Sequence, residues 1–192
     1  ASAPPAILYA RSKGVEVHIS TQLNVSNIET LRFYAAWADV VVLARELDLT
    51  QVRRIHEAIE RERICGPKGE LIKIEMFVHG ALCMAVSGKC YLSLHEANKS
   101  ANRGSCRQIC RRSYRVTDME TGAELEVENK YIMSPKDLCT IDFIDKLIEA
   151  GVSVFKIEGR ARPGEYVKRV TECYGEAVAA YAEGRYTPEY AA

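Results

Sequence analysis

Short apolar, β-branched runs alternate with amphipathic stretches of ten residues or more, and this rhythm restricts the chain to a narrow set of folds. Val15 to Ser20 reads as a strand, and Asn27 caps a helix that runs to Trp37, with Ile28, Leu31, Phe33, Tyr34, Ala35 and Ala38 recurring at helical spacing. Asp39 to Ala44 is the next strand. Thr50 opens a helix over Gln51 to Ile64 with Val52, Ile55, Ala58 and Ile59 on its buried face, and Gly66-Pro-Lys-Gly69 stops it. Leu71 to Val78, Tyr131 to Ser134 and Val152 to Ile157 complete five strands. Pro135 to Ala150 and Pro163 to Ala182 read as helices.

Strands separated by helices of that length lie parallel, joined by right-handed crossovers. The fold expected is α/β: a partial (β/α)8 TIM-type barrel comprising its C-terminal five βα units. Such barrels usually take about 250 residues, and Ile7 to Gly14 looks like the tail of a helix begun earlier. About three βα units, the missing N-terminal half of the barrel, are therefore expected upstream. The open sheet edges would be covered by them, by loops or by another copy of the chain in a homo-oligomer. All 192 residues form one expected domain, interrupted at 80–128 by a Cys-rich insertion. Within it, alternation on both sides of Glu120-Thr-Gly122 predicts a β-hairpin.

Lysine plus arginine and aspartate plus glutamate number 26 each, so no global field recruits nucleic acid or membrane, and any basic site must be local. No apolar run approaches the roughly 20 residues of a membrane span, and the start lacks a leader pattern, so a cytoplasmic setting is expected. Seven cysteines, an odd number without a secretory signal, argue against a disulfide framework and toward metal binding or redox chemistry.

The densest chemistry lies in Glu75-Met-Phe-Val-His-Gly-Ala-Leu-Cys-Met-Ala-Val-Ser-Gly-Lys-Cys-Tyr-Leu-Ser93, past a strand end. Ligand sites of barrels and open α/β sheets gather at that end. Glu75 and His79 on the third strand, Arg45 and Glu46 past the second, and Lys156, Glu158 and Arg160 at the last would share one mouth of a closed barrel. This makes Arg45, Glu75, His79, Lys156, Glu158 and Arg160 the catalytic candidates. For His79, a structural hydrogen bond in a Gly-flanked turn is an equal alternative. Lys89 to Arg115 is the one lopsided charge block: Lys89, Lys99, Arg103, Arg107, Arg111, Arg112 and Arg115 stand against Glu96, with Tyr91 and Tyr114 nearby. Arg103, Arg107, Arg111 and Arg112 are the candidates for nucleic-acid binding, the tyrosines for stacking a base. A solvated loop with charges paired elsewhere is the bland alternative.

The Glu75–Ser93 stretch resembles, nearly position for position, a signature of the collagenase-like peptidase family of unknown catalytic type: Glu-x-Phe-x-x-Gly-Ala-Leu-Cys, four residues, Gly-x-Cys-x-Leu-Ser. The resemblance continues through His18-Ile-Ser-Thr-Gln22, Leu43-Ala-Arg-Glu-Leu47, Asn102-Arg-Gly-Ser-Cys-Arg-Gln-Ile-Cys-Arg111, Ser134-Pro-Lys-Asp-Leu-Cys139 and Lys156-Ile-Glu-Gly-Arg160. Members of that family include RNA hydroxylases that add oxygen to a pyrimidine of transfer or ribosomal RNA with prephenate as the hydroxyl donor. Others act in oxygen-independent ubiquinone hydroxylation, and others are called collagenases. Several carry a four-iron, four-sulfur cluster on four cysteines, and the matching positions here are Cys83, Cys90, Cys106 and Cys139.

Thiolates are soft ligands suited to iron–sulfur clusters or zinc. Cys110, four residues past Cys106, is an alternative ligand or a spare thiol, and the sequence does not choose. Cys65 and Cys173 read as small hydrophobes. The resemblance thus implies an RNA-modifying hydroxylase with RNA as partner. The alternatives are a peptidase, although His-Glu-x-x-His and Gly-x-Ser-x-Gly do not occur, and a non-catalytic binding module.

Overall fold

A computed structural model describes residues 1–127, 133–187 and 189. The chain divides into two compact units, the first formed by Ala1–Gly80 with Cys139–Ala192 and the second by Ala81–Leu138.

In the first unit, α1 (Pro4–Ser12) precedes β1 (His18–Ile19), α2 (Ile28–Ala35), β2 (Val40–Val42), α3 (Leu49–Glu62) and β3 (Lys73–Gly80). In α2, the Asn27 side chain accepts from Thr30 N at 2.8 Å, the N-cap expected. The helix stops at Ala35, and Phe33 stands 66% exposed, so it does not belong to the buried stripe. At α3 the cap is Asp48, two residues before the expected start: its carboxylate takes Gln51 N at 2.8 Å while Gln51 Oε1 takes Asp48 N at 2.9 Å, a reciprocal capping box. Val52, Ile55, Ala58 and Ile59 are buried, as the periodicity predicts.

The second unit carries α4 (Leu92–Ala97) and the antiparallel hairpin of β4 (Tyr114–Thr117) and β5 (Glu124–Val127), in which Arg115 faces Glu126. Asp118 closes the turn by accepting from Thr121 N at 2.7 Å and Glu120 N at 3.0 Å, while Gly122 takes the positive φ of 68°. The hairpin lies where the alternation places it. The chain then continues through β6 (Leu138–Cys139), α5 (Ile144–Glu149), β7 (Val152–Glu158) and α6 (Gly164–Ala182).

β1, β2, β3 and β7 form a parallel sheet in that order, and β6 also joins β3. Among the described residues the sheet is open and mixed with helices, so barrel closure remains an expectation. The expected strand Tyr131 to Ser134 lies partly outside the described residues, and its described part, Met133 and Ser134, is a bend. The expected helix Pro135 to Ala150 is corrected too. Pro135, Lys136 and Asp137 carry no regular structure, the sheet strand follows at Leu138–Cys139, and helical structure starts with a 3-10 turn at Ile141–Phe143. The reason is tertiary: Thr140 Oγ1 donates to Val78 O at 3.1 Å and Thr140 N to the Tyr174 hydroxyl at 3.0 Å, anchoring the segment beside β3 before a helix can begin.

Ile19, Val41, Leu43, Ile74 and Val78 of the sheet pack with Leu31, Val52, Ile59, Ile144 and Leu147 of the helices. At the far end of β3 the backbone of β7 comes very close. Gly80 has φ of 101°, and a Cβ there would stand 2.2 Å from the Glu158 carbonyl oxygen.

Candidate functional site

Strand periodicity sends Ile74, Met76 and Val78 of β3 into the helical core, and Glu75 to the other face of the sheet. Glu75 is in register with Val42 of β2 and Val154 of β7 and is 4% exposed. A carboxylate so buried needs partners on both oxygens. Lys156 Nζ lies 2.9 Å from Oε1 and His18 Nδ1 lies 2.6 Å from Oε2. The Lys156 ammonium also stands 5.2 Å from the centroid of the Phe77 ring. Around His18 the chain of charges continues: Nε2 is 3.1 Å from Glu16 Oε1, and Glu16 Oε2 accepts from Lys68 Nζ at 2.7 Å. The Lys68 hydrogen bond and, after it, the His18 one hold the Glu16 carboxyl below its ordinary range.

Of the six catalytic candidates, the structure brings Glu75 and Lys156 together. The contacts shown for His79 are with α6: its Nδ1 is 3.4 Å from the Tyr174 hydroxyl, and its ring is 5.6 Å from that of Tyr174 and 5.9 Å from that of Tyr166. Tyr174 in turn donates to Val78 O at 2.8 Å, and burial pushes its phenol pKa up. The Glu158 carboxylate accepts from Arg160 N at 2.7 Å, so it stabilises the turn after β7, and Arg160 is exposed. Arg45 is half-buried past β2, and Glu46 is exposed. Glu16, His18 and Lys68 were not among the candidates. The available signal was a Glu-x-His alternation in a strand whose other face, Val17 and Ile19, is apolar.

In the second unit, Arg111 departs from its expected role. It is an internal clamp, its side chain 10% exposed, paired with Asp137 and donating to Pro135 O at 3.2 Å and Leu82 O at 3.4 Å. A guanidinium committed in this way is not offered to phosphate. Arg103, Arg107 and Arg112 are exposed, Arg112 standing 3.5 Å from exposed Glu96. Tyr91 is 73% exposed, whereas the Tyr114 hydroxyl donates to Ile109 O.

All seven cysteines are free thiols, with Cys83 exposed and Cys90, Cys106 and Cys110 half-buried. Burial first, then Cys83 and Cys106, push the Cys110 thiol up. Gln108 N donates to Cys106 Sγ at 3.4 Å, a bond of the kind that supports a ligating thiolate. Thiolates are the donor type that a soft metal centre takes. Among the described residues no three His, Cys, Asp or Glu side chains are gathered as ligands of a metal ion, and Cys139 begins the returning segment of the first unit. No helix among the described residues is long and apolar enough to cross a membrane.

The chain belongs to peptidase family U32, whose model matches residues 3–192. Its relatives carry two kinds of name. It is 67% identical to a protein named collagenase from Porphyromonas gingivalis, over 98% of this chain and 46% of that protein. It is 41% identical to the 23S rRNA 5-hydroxycytidine C2501 synthase of Escherichia coli, over 89% of this chain and 24% of the relative. With the tRNA hydroxylation protein P1 of Bacillus subtilis it shares 40% identity, over 87% of this chain and 38% of the relative. The chain thus spans less than half the length of each of these three. No solved structure matches it.

Proposed function

We propose that this chain is the part of an RNA-modifying hydroxylase that binds RNA and holds the reacting centre, acting on a pyrimidine of transfer or ribosomal RNA in the cytoplasm. The observation that carries the reading is the surface of the second unit, where Arg103, Arg107 and Arg112 are exposed along with the Tyr91 ring. Cations that track phosphates beside an aromatic ring that stacks a base are the requirements of single-stranded RNA binding. The relatives named for rRNA and tRNA hydroxylation support it.

In this reading the Lys156 ammonium, fixed by Glu75, receives an anionic group of the substrate or of the hydroxyl donor, for which the family resemblance suggests prephenate. Cys83, Cys90, Cys106 and Cys139, with Cys110 as the spare thiol, would hold a four-iron, four-sulfur cluster. When bound, it would supply one-electron chemistry. Protein purified without oxygen is expected to contain iron and acid-labile sulfide and to absorb in the visible. Cys83→Ala, Cys90→Ala and Cys139→Ala are each expected to abolish that absorption, and Cys173→Ala to leave it intact. Unchanged spectra in the first three would refute the ligand set.

A second reading, peptidase, is favoured by the 67% identity to a protein named collagenase. Nucleoside mass spectrometry and a gelatin-cleavage assay on the full-length protein decide between them. The proposal expects deletion of the gene to remove a hydroxylated pyrimidine from cellular RNA and the purified protein to leave gelatin intact. Gelatin cleavage with an unchanged nucleoside profile would establish the peptidase.

A further inference from the structure

Five ionisable side chains are linked end to end on the first unit: Lys68, Glu16, His18, Glu75 and Lys156, with successive separations of 2.7, 3.1, 2.6 and 2.9 Å. Each oxygen of both glutamates is used once, and so is each ring nitrogen of His18. A neutral imidazole has one N–H and one lone pair, so between two carboxylates its lone pair would face an oxygen. The imidazolium has two N–H groups and satisfies both contacts with charge-assisted bonds.

We propose that His18 is a positioning residue for the Glu75–Lys156 pair, held as an imidazolium that donates to Glu16 and to Glu75 together. This rests on the reading of Glu75 and Lys156 as the chemical centre. His18 lies on Oε2 and Lys156 on Oε1, so both oxygens of Glu75 are held by a partner inside the fold. Glu75 is the fixed counter-charge, and the group presented to an incoming carboxylate or phosphate is the Lys156 ammonium, whose side chain is 38% exposed. Lys68 and Glu16 form the outer end of the same chain, and they set the orientation of the imidazole ring.

The charged groups that bear on His18 come from every side of it. Glu75 faces it from β3, with Lys156 of β7 behind that carboxylate. Glu16 faces it from its own segment, with Lys68 behind. Asp39 accepts from Lys68 N at 3.2 Å at the outer end of the chain.

Two readouts that use no RNA test the proposal, so the hydroxylase reading can fail while this one stands, and the reverse. The first is ring-nitrogen NMR of the chain with labelled histidine, of which there are four residues, His18 being assigned through His18→Gln. Two N–H groups on His18 at pH 7 are expected, falling to one when Glu16→Gln and Glu75→Gln are combined. The second is the acetylation rate of Lys156, read by mass spectrometry against Lys146 as an internal reference. Loss of the imidazolium in His18→Leu leaves the whole Glu75 charge to Lys156 and is expected to lower that rate about threefold, and His18→Gln, a neutral donor to the same carboxylate, to bring it part of the way back. A single N–H on His18 in the unaltered chain overturns the proposal, as does a Lys156 rate that His18→Leu leaves unchanged.

Discussion

Gly80→Ala is expected to lower the stability of the first unit by about 3 kcal/mol, from roughly 1–3 kcal/mol of backbone strain and a similar cost of overpacking. A methyl at this position would meet the Glu158 carbonyl oxygen at 2.2 Å, and that oxygen is backbone, so no side-chain rotation relieves the clash. The φ of 101° is in addition a conformation that L-residues avoid. At about 2–4 °C per kcal/mol for a chain of this size, the melting temperature should fall by about 9 °C. The end of β3 and the end of β7 would have to separate, disturbing the strands that carry Glu75 and Lys156. A fall of less than about 3 °C would mean that the two strands are not held this close.

Arg111→Met is expected to open the second unit. Ile109 is the buried apolar side chain there among the described residues, so the unit depends on polar ties more than on a core. Removing the guanidinium leaves the Asp137 carboxylate and the carbonyls of Leu82 and Pro135 without it, at a cost of about 3 kcal/mol. That corresponds to about a hundredfold increase in the open population, read as faster hydrogen exchange and proteolysis within Ala81–Leu138. Arg112→Met, at an exposed pair 3.5 Å apart, should change neither. Equal protection in Arg111→Met and the unaltered chain would restore Arg111 to the list of phosphate-binding candidates.

The contrast between these two arginines shows what the sequence conveys and what it withholds. Arg111 and Arg112 are adjacent in one basic run, and nothing local separates them. What distinguishes them is Asp137, which lies 26 residues away. Elements set by local patterns were legible: β2 as three buried valines, α3 with its apolar stripe, α6 after Pro163, and the hairpin turning on Asp118 and Gly122. β6 was not legible, because two residues carry no periodicity and its place depends on hydrogen bonds from Thr140 to Val78 and Tyr174.

The candidate site divides along the same line. Glu75 and Lys156 stand out as charges in otherwise apolar strands, so each could be chosen from the sequence by itself. His18 becomes informative only when β1 and β3 share a sheet, since its partner Glu75 is 57 residues away. His79 and Glu158 lie at strand ends, where the sequence places catalytic candidates, and the contacts that hold them, to Tyr174 and to Arg160 N, come from residues that the strand pattern does not point to.

The central claim is that the Glu75–Lys156 pair is where an RNA-modifying protein does its chemistry. It is tested most directly by complementing a strain that lacks the full-length gene with the unaltered protein, with Lys156→Met and with Lys68→Met, and measuring the hydroxylated pyrimidine in RNA by mass spectrometry. The account predicts full restoration by the unaltered protein, near-complete loss with Lys156→Met at equal protein level, and substantial restoration with Lys68→Met at the outer end of the charge chain. Full restoration by Lys156→Met would contradict it.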